Sequence, residues 1–94
     1  MTPAEQEQLA ARLMGNYMQF AVWCEGQVAA GRMTARLFRE LMEEKHRCFI
    51  KAIRTEQFNP QLRQGLLAYA EYHRRERDEK AARQRGISII FGPT

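Results

Sequence analysis

The sequence predicts an all-α protein, a three-helix up-down-up bundle spanning residues 1–94 as a single domain. Three observations carry that reading. Helix-start signatures stand at Thr2-Pro3-Ala4-Glu5, at Thr34 and at Asn59-Pro60; apolar residues recur at helical spacing after each; and glycines fall where helices would end. Thr and Asn accept hydrogen bonds from the orphan amides of a first turn, and Pro suits the first helical position because its φ is already helical. Glu5 follows Thr2 at the spacing of a reciprocal capping box.

The first helix, near 3–30, gathers Leu9, Leu13, Tyr17, Phe20, Cys24 and Val28 on one line. Met14, Met18 and Ala21 widen it on one side and Trp23 on the other. The resulting apolar arc is about 200° wide, against the ~100° needed to face one core, so this helix is predicted to be surrounded. Gly15 and Gly26 weaken it by roughly 1 kcal/mol each relative to Ala, though their missing side chains leave room for a close neighbour.

Gly31 is the expected terminator, and Arg32-Met33-Thr34 is so short that the next helix must return antiparallel. That second helix, near 35–56, sets Leu37, Phe38, Leu41, Met42, Cys48, Phe49, Ala52 and Ile53 against Arg36, Arg39, Glu43, Arg47 and Arg54. The third, near 60–85, carries Leu62, Leu66, Tyr69, Ala70 and His73 on one face and is expected to end at Gly86. Beyond His73 its face continues with Glu76, Arg77 and Lys80, so the predicted helix 3 is charged and half-exposed. Glu71–Arg75, Glu76–Lys80 and Glu79–Arg83 are acid-before-base pairs worth ~0.2–0.5 kcal/mol each. Residues 87–94 form an apolar C-terminal tail, in which Ile87 is placed to close onto Ala82 once Gly86 turns the chain.

A chain this short buries roughly 60–65% of its unfolded surface, which leaves a thin core. Its 45% apolar and 28% charged residues are those of a globular domain, not a disordered one. The longest apolar run, Phe20 to Cys24, is far below the ~18 residues of a membrane span. The N-terminus lacks the basic start and apolar stretch of a secretory signal. No membrane association and a cytoplasmic location are therefore expected. Cys24 and Cys48 show no Cys-x-x-Cys spacing and sit among apolar residues, so they read as buried thiols of a reducing compartment, an inter-helix disulfide being the other arrangement open to them.

Residues 1–31 carry one arginine against three acids, residues 32–57 seven bases against four acids, and residues 58–94 again seven against four. The net charge of +4 thus belongs to helices 2 and 3 and suits an acidic partner.

No motif for catalysis, metal or cofactor emerges, and none of the three is expected. Glu43-x-x-His46 has the spacing of a carboxylate-bridged metal helix but no second copy, and reads as solvated surface. His73 is expected at the core edge, bonded to a Tyr or a carbonyl. Gln27 to Leu37 echoes a helix-turn-helix, with Gly31 at the turn and helices longer than that motif uses.

The functional expectation comes from a mismatch. In an up-down-up bundle the charged half of helix 3 runs past Met18–Val28 and Leu37–Met42, and leaving those bulky groups wet would forfeit several kcal/mol. The covering is either the tail, folded back in a monomer, or another chain, which makes a homodimer with a four-helix core the expected assembly. The predicted function is a small non-enzymatic protein-interaction module, a regulator or adaptor, docking through Phe20, Trp23, Phe38, Leu41, Ile89, Ile90 and Phe91. Met14, Tyr17 and Met18 would add a pliant flank to that surface. The alternative is a dimeric nucleic-acid-binding accessory protein using Arg36, Arg39, Arg47, Lys51 and Arg54 of helix 2, which would equally meet an acidic protein.

Overall fold

Every helix begins where its capping residue stands. The computed structural model describes the backbone of residues 1–91 and the side chains of residues 1–82. It comprises α1 (Pro3–Ala29), α2 (Ala35–Thr55) and α3 (Pro60–Phe91). Thr2 Oγ1 accepts from the Glu5 amide and Glu5 Oε1 from the Thr2 amide, both at 3.2 Å, so the capping box is complete. The Thr2 amide, and then the Thr2 hydroxyl beside it, hold the Glu5 carboxyl below the usual carboxylate range. Thr34 Oγ1 caps α2 through the Leu37 amide at 3.1 Å, and Asn59 Oδ1 caps α3 through the Leu62 amide at 2.8 Å.

Between α1 and α2 the chain reverses in a Schellman turn. The Arg32 amide donates to the Gln27 carbonyl at 2.9 Å and the Gly31 amide to the Val28 carbonyl at 3.0 Å, with Gly31 at a φ of +75°. The return is antiparallel, since Phe20 lies beside Lys45 while Tyr17, one turn earlier, lies beside Phe49. α3 runs parallel to α1: the Asn59 amide donates to Gln6 Oε1 at 2.7 Å, and further along both helices Tyr17 meets Tyr69 and His73. The bundle is up-down-up, as the sequence predicts.

The core is built from Ala10, Tyr17 and Ala21 of α1, Met42, Phe49 and Ile53 of α2, Leu66 of α3 and Phe58 of the connecting segment. Cys24 and Ala70 are buried beside them. Phe58 was not foreseen as core, because nothing periodic surrounds it. It closes the base of the bundle, where Arg63 Nη2 donates to the Glu56 and Phe58 carbonyls at 3.3 Å each.

Several expectations need correction. The helix does not end at Gly86: α3 continues to Phe91, and the turn expected of Ile87 onto Ala82 is replaced by further helix. Glycine permits a left-handed terminator without compelling one, and in a helix interior it costs only about 1 kcal/mol. The side chains of Ile89, Ile90 and Phe91, and residues 92–94, lie outside the described residues. α1 is not surrounded, since Val22 and Trp23 remain 62% and 55% exposed. A Cβ built on Gly15 or Gly26 would meet nothing within 4 Å, so neither admits a close neighbour. Leu37 and Cys48, placed in the apolar arc of α2, are exposed, while His46, read as solvated, is buried. Cys24 and Cys48 are both free thiols. Of the three acid–base pairs on α3, Glu71–Arg75 forms at 3.9 Å, Glu76–Lys80 does not, and Glu79–Arg83 reaches beyond the described side chains.

Two substitutions test the hairpin turn. Thr34→Ala removes the cap of α2 and should lower unfolding stability by about 1 kcal/mol. Gly31→Ala forces a Cβ into the left-handed region and should cost about 1 kcal/mol or more. Urea denaturation monitored by circular dichroism reads both, and an unchanged midpoint in either would show that residue to be dispensable for the reversal.

Candidate interaction site

Among the described residues two apolar surfaces remain open on the α1–α2 hairpin. The first is its outer side, turned away from α3. There Phe20 and Trp23, three residues apart on α1, stack with centroids 6.3 Å apart and an interplanar angle of 30°. Lys45 of α2 sets its Nζ 5.5 Å from the Phe20 centroid, a cation–π contact that partly covers that ring. Leu37, Leu41, Lys45 and Cys48 follow one another at four, four and three residues, and so share one flank of α2. Leu37 is exposed and Leu41 half-buried. Trp23 is the largest group left in water, because the heptad line of the core, Ala10, Tyr17 and Cys24, runs down the neighbouring face.

The second is a groove of about 630 Å³ at the loop end, between the hairpin and the second half of α3. Val28, Ala29, Ala35 and Phe38 supply apolar lining, and Glu25, Arg39, Glu43, Arg77, Asp78 and Lys80 supply charge of both signs. It exists because the inward column of α3 passes from Leu66 and Ala70 to His73, Arg77 and Ala81, none of which fills the space a Leu or Phe would take. The core therefore stops at Ala70 among the described residues, as expected. The inward residue past it is Arg77, while Glu76 and Lys80 are exposed.

Arg77 closes the core with a polar layer. Its Nη1 donates to the Tyr17 hydroxyl, and its Cζ lies 5.6 Å from the Tyr17 ring centroid. Its Nη2 is enclosed without a partner among the described residues. A helical side chain leans toward its own N-terminus, which carries the long Arg77 back to the level of Tyr17. Around this pair Tyr69 meets His73 edge-on at 4.4 Å, and Tyr72 meets it at 5.2 Å. His73 is held by these rings, and its imidazole makes none of the expected hydrogen bonds among the described residues. Burial, and then the neighbouring Tyr17, push the Tyr69 hydroxyl above its usual pKa.

His46 is only 7% exposed, and its Nδ1 is enclosed with no partner among the described residues. Burial pushes its pKa below the ordinary imidazole value; Arg74 adds to this, Glu43 opposes it, Arg77 again lowers it and Glu71 opposes. The signal for its burial was present in the sequence: Met42, His46, Phe49 and Ile53 are spaced four, three and four, the pattern of a helix seam. Glu43, its neighbour, is half-buried and accepts from Arg74 Nη2 at 3.4 Å, so the two residues of the Glu43-x-x-His46 spacing diverge. No group of three or more potential metal ligands converges among the described residues.

The five basic residues of α2 separate by environment. Arg36 pairs with Glu40 at 3.4 Å, and Arg47 pairs with Glu44. Arg39 lines the loop-end groove. Lys51 and Arg54 are in no ion pair among the described residues and, with Arg47 and His46, line a shallow groove between α2 and α3. The buried Cys24 thiol is raised in pKa by burial and by Glu25, and the exposed Cys48 thiol lies 3.9 Å from Glu44 Oε1. No described helix is long and apolar enough to cross a membrane.

The polar layer yields two predictions. Tyr17→Phe strands a half-buried guanidinium and should cost about 1–3 kcal/mol, whereas Arg77→Met removes the charge with its need for a partner and should be neutral or stabilising. Urea midpoints of the two variants should therefore move in opposite directions or differ clearly. For His46, the unfolded chain takes up a proton near the ordinary value of about 6.5 and the folded chain only below it. The stability from the neutral buried ring is thus full above that value and is lost as pH falls through the window beneath it. Unfolding midpoints at neutral and mildly acidic pH should converge in His46→Leu relative to wild type; an equal acid loss in both would remove His46 as the cause.

No protein-family model, curated protein or solved structure matches this chain, so the chemistry of these surfaces is what its function must be argued from.

Proposed function

We propose that this chain is a small non-enzymatic protein-interaction module, a regulator or adaptor, which docks through the outer face of its α1–α2 hairpin and pairs with a second copy of itself when dimeric. The observation that carries this reading is the stacked Phe20–Trp23 pair, with Trp23 55% exposed in a chain whose whole margin of stability is small. Tryptophan beside aliphatic and aromatic neighbours is the residue type that anchors interfaces, through its large apolar area and low entropy loss on docking. Leu41 and the exposed Leu37 extend the patch on α2, and Phe38 with Val28 opens a second apolar contact at the loop end. The net positive charge steers association with an acidic partner and sets its salt dependence more than its final affinity.

The non-enzymatic part of the reading is supported by the state of the reactive groups. Cys24 is buried with a raised pKa, His46 is enclosed, and His73 is packed against three tyrosines, so none is an activated nucleophile or base facing an open cleft. Free thiols at Cys24 and Cys48 suit a reducing, cytoplasmic setting.

Trp23 is the only tryptophan, which makes its emission a direct reporter of the proposed surface. The spectrum should move from a solvent-exposed to a buried position as concentration rises through the micromolar range, in step with dimer formation in sedimentation velocity. Trp23→Ala should weaken association by about tenfold or more, the loss expected of a central aromatic anchor. Its unfolding stability should change little, since the side chain is half in water. A monomer with unchanged emission throughout, or a variant that associates like wild type, would put the interface elsewhere.

A further inference from the structure

The α2 surface that faces away from Trp23 carries a second arrangement, independent of the first. Arg47, Lys51 and Arg54 follow each other at four and three residues, three cations in a row about 10 Å long along the helix axis. Arg36 lies on the same side of the helix about 17 Å nearer its N-terminus, with Glu40 and Glu43 between it and Arg47. From Lys45 to Thr55 the helix has no acid. The nearby carboxylates are already engaged: Glu44 by Arg47, Glu40 by Arg36, and Glu71, which itself lines the groove, by Arg75 at 3.9 Å. Lys51 and Arg54 have no such partner among the described residues.

Beneath the row, His46 forms part of the groove floor and is more than nine-tenths buried. The charged lining groups are cations apart from Glu71, which is paired with Arg75, so the groove suits an anion. The cations form a line and do not converge on a point. A lone phosphate would engage one of them, whereas a chain of phosphates engages all.

We propose that the groove between α2 and α3 binds the phosphate backbone of a nucleic acid, with Lys51 and Arg54 on successive phosphates and Arg47 exchanging its exposed pair with Glu44 for the next. The row offers no exposed aromatic ring for base stacking, so the contact is electrostatic and independent of sequence.

The test is fluorescence anisotropy of a short labelled DNA duplex with the full chain across a series of salt concentrations. The logarithm of affinity should fall linearly with log salt, with a slope of about −3. The double variant Lys51→Gln/Arg54→Gln alters only exposed side chains and should fold as wild type by circular dichroism. It should weaken binding at low salt by roughly tenfold or more and flatten the slope by about 2. Absence of binding at low salt, a double variant with wild-type affinity and slope, or polyglutamate competing as well as unlabelled duplex would each overturn the proposal.

Discussion

The arrangement of this bundle depends on a change of character along one helix face. As far as Ala70, the inward column of α3 is apolar and fills the space that α1 and α2 leave between them. At His73 and Arg77 the column turns polar while α1 and α2 still present Val28 and Phe38. Packing cannot then continue as in the lower half. A guanidinium brings several N–H donors that need acceptors, and in a thin core one tyrosine hydroxyl is the acceptor within reach. The Tyr17–Arg77 contact marks where the apolar core ends and the open groove begins.

The two ends of the molecule differ for the same reason. The base is closed by Phe58 in the connection between α2 and α3, with Arg63 and Gln6 satisfying the backbone of that segment. Among the described residues the loop end is closed by the Schellman turn at Gly31, which satisfies its own carbonyls. Apolar area that α3 leaves uncovered there, and on the outer side of the hairpin around Trp23, is the feature most readily put to use by a partner. On the other flank of α2 the positive charges lie in a row over a buried imidazole. One amphipathic helix thus separates an apolar surface from a basic one, with the core between them.

Much of this was legible in the order of residues. Thr2, Thr34 and Asn59 each had a single structural use consistent with what followed them, and all three cap a helix. The left-handed Gly31 was equally legible, because a three-residue link to a second amphipathic helix leaves few alternatives. Gly86 was not, since nothing local requires a glycine to stop a helix. His46 was misread because it was taken together with Glu43 as one polar motif, whereas its own spacing from Met42 and Phe49 marks it as core. The candidate contact residues were identified singly by their chemistry, and the structure separates them into an outer patch, a groove and a basic row.

By itself the sequence determined the number of helices, their starts, their antiparallel order and the charge imbalance between the first helix and the others. These follow from local rules, in which a cap, a turn or a periodic stripe acts within a few residues. Only the tertiary structure decided which flank of the wide apolar arc of α1 is covered, that Arg77 points inward to Tyr17, and that His46 lies beneath the cations of α2. Those outcomes depend on the rotation of each helix about its axis, which is set by how the side chains of all three helices fill the space between them.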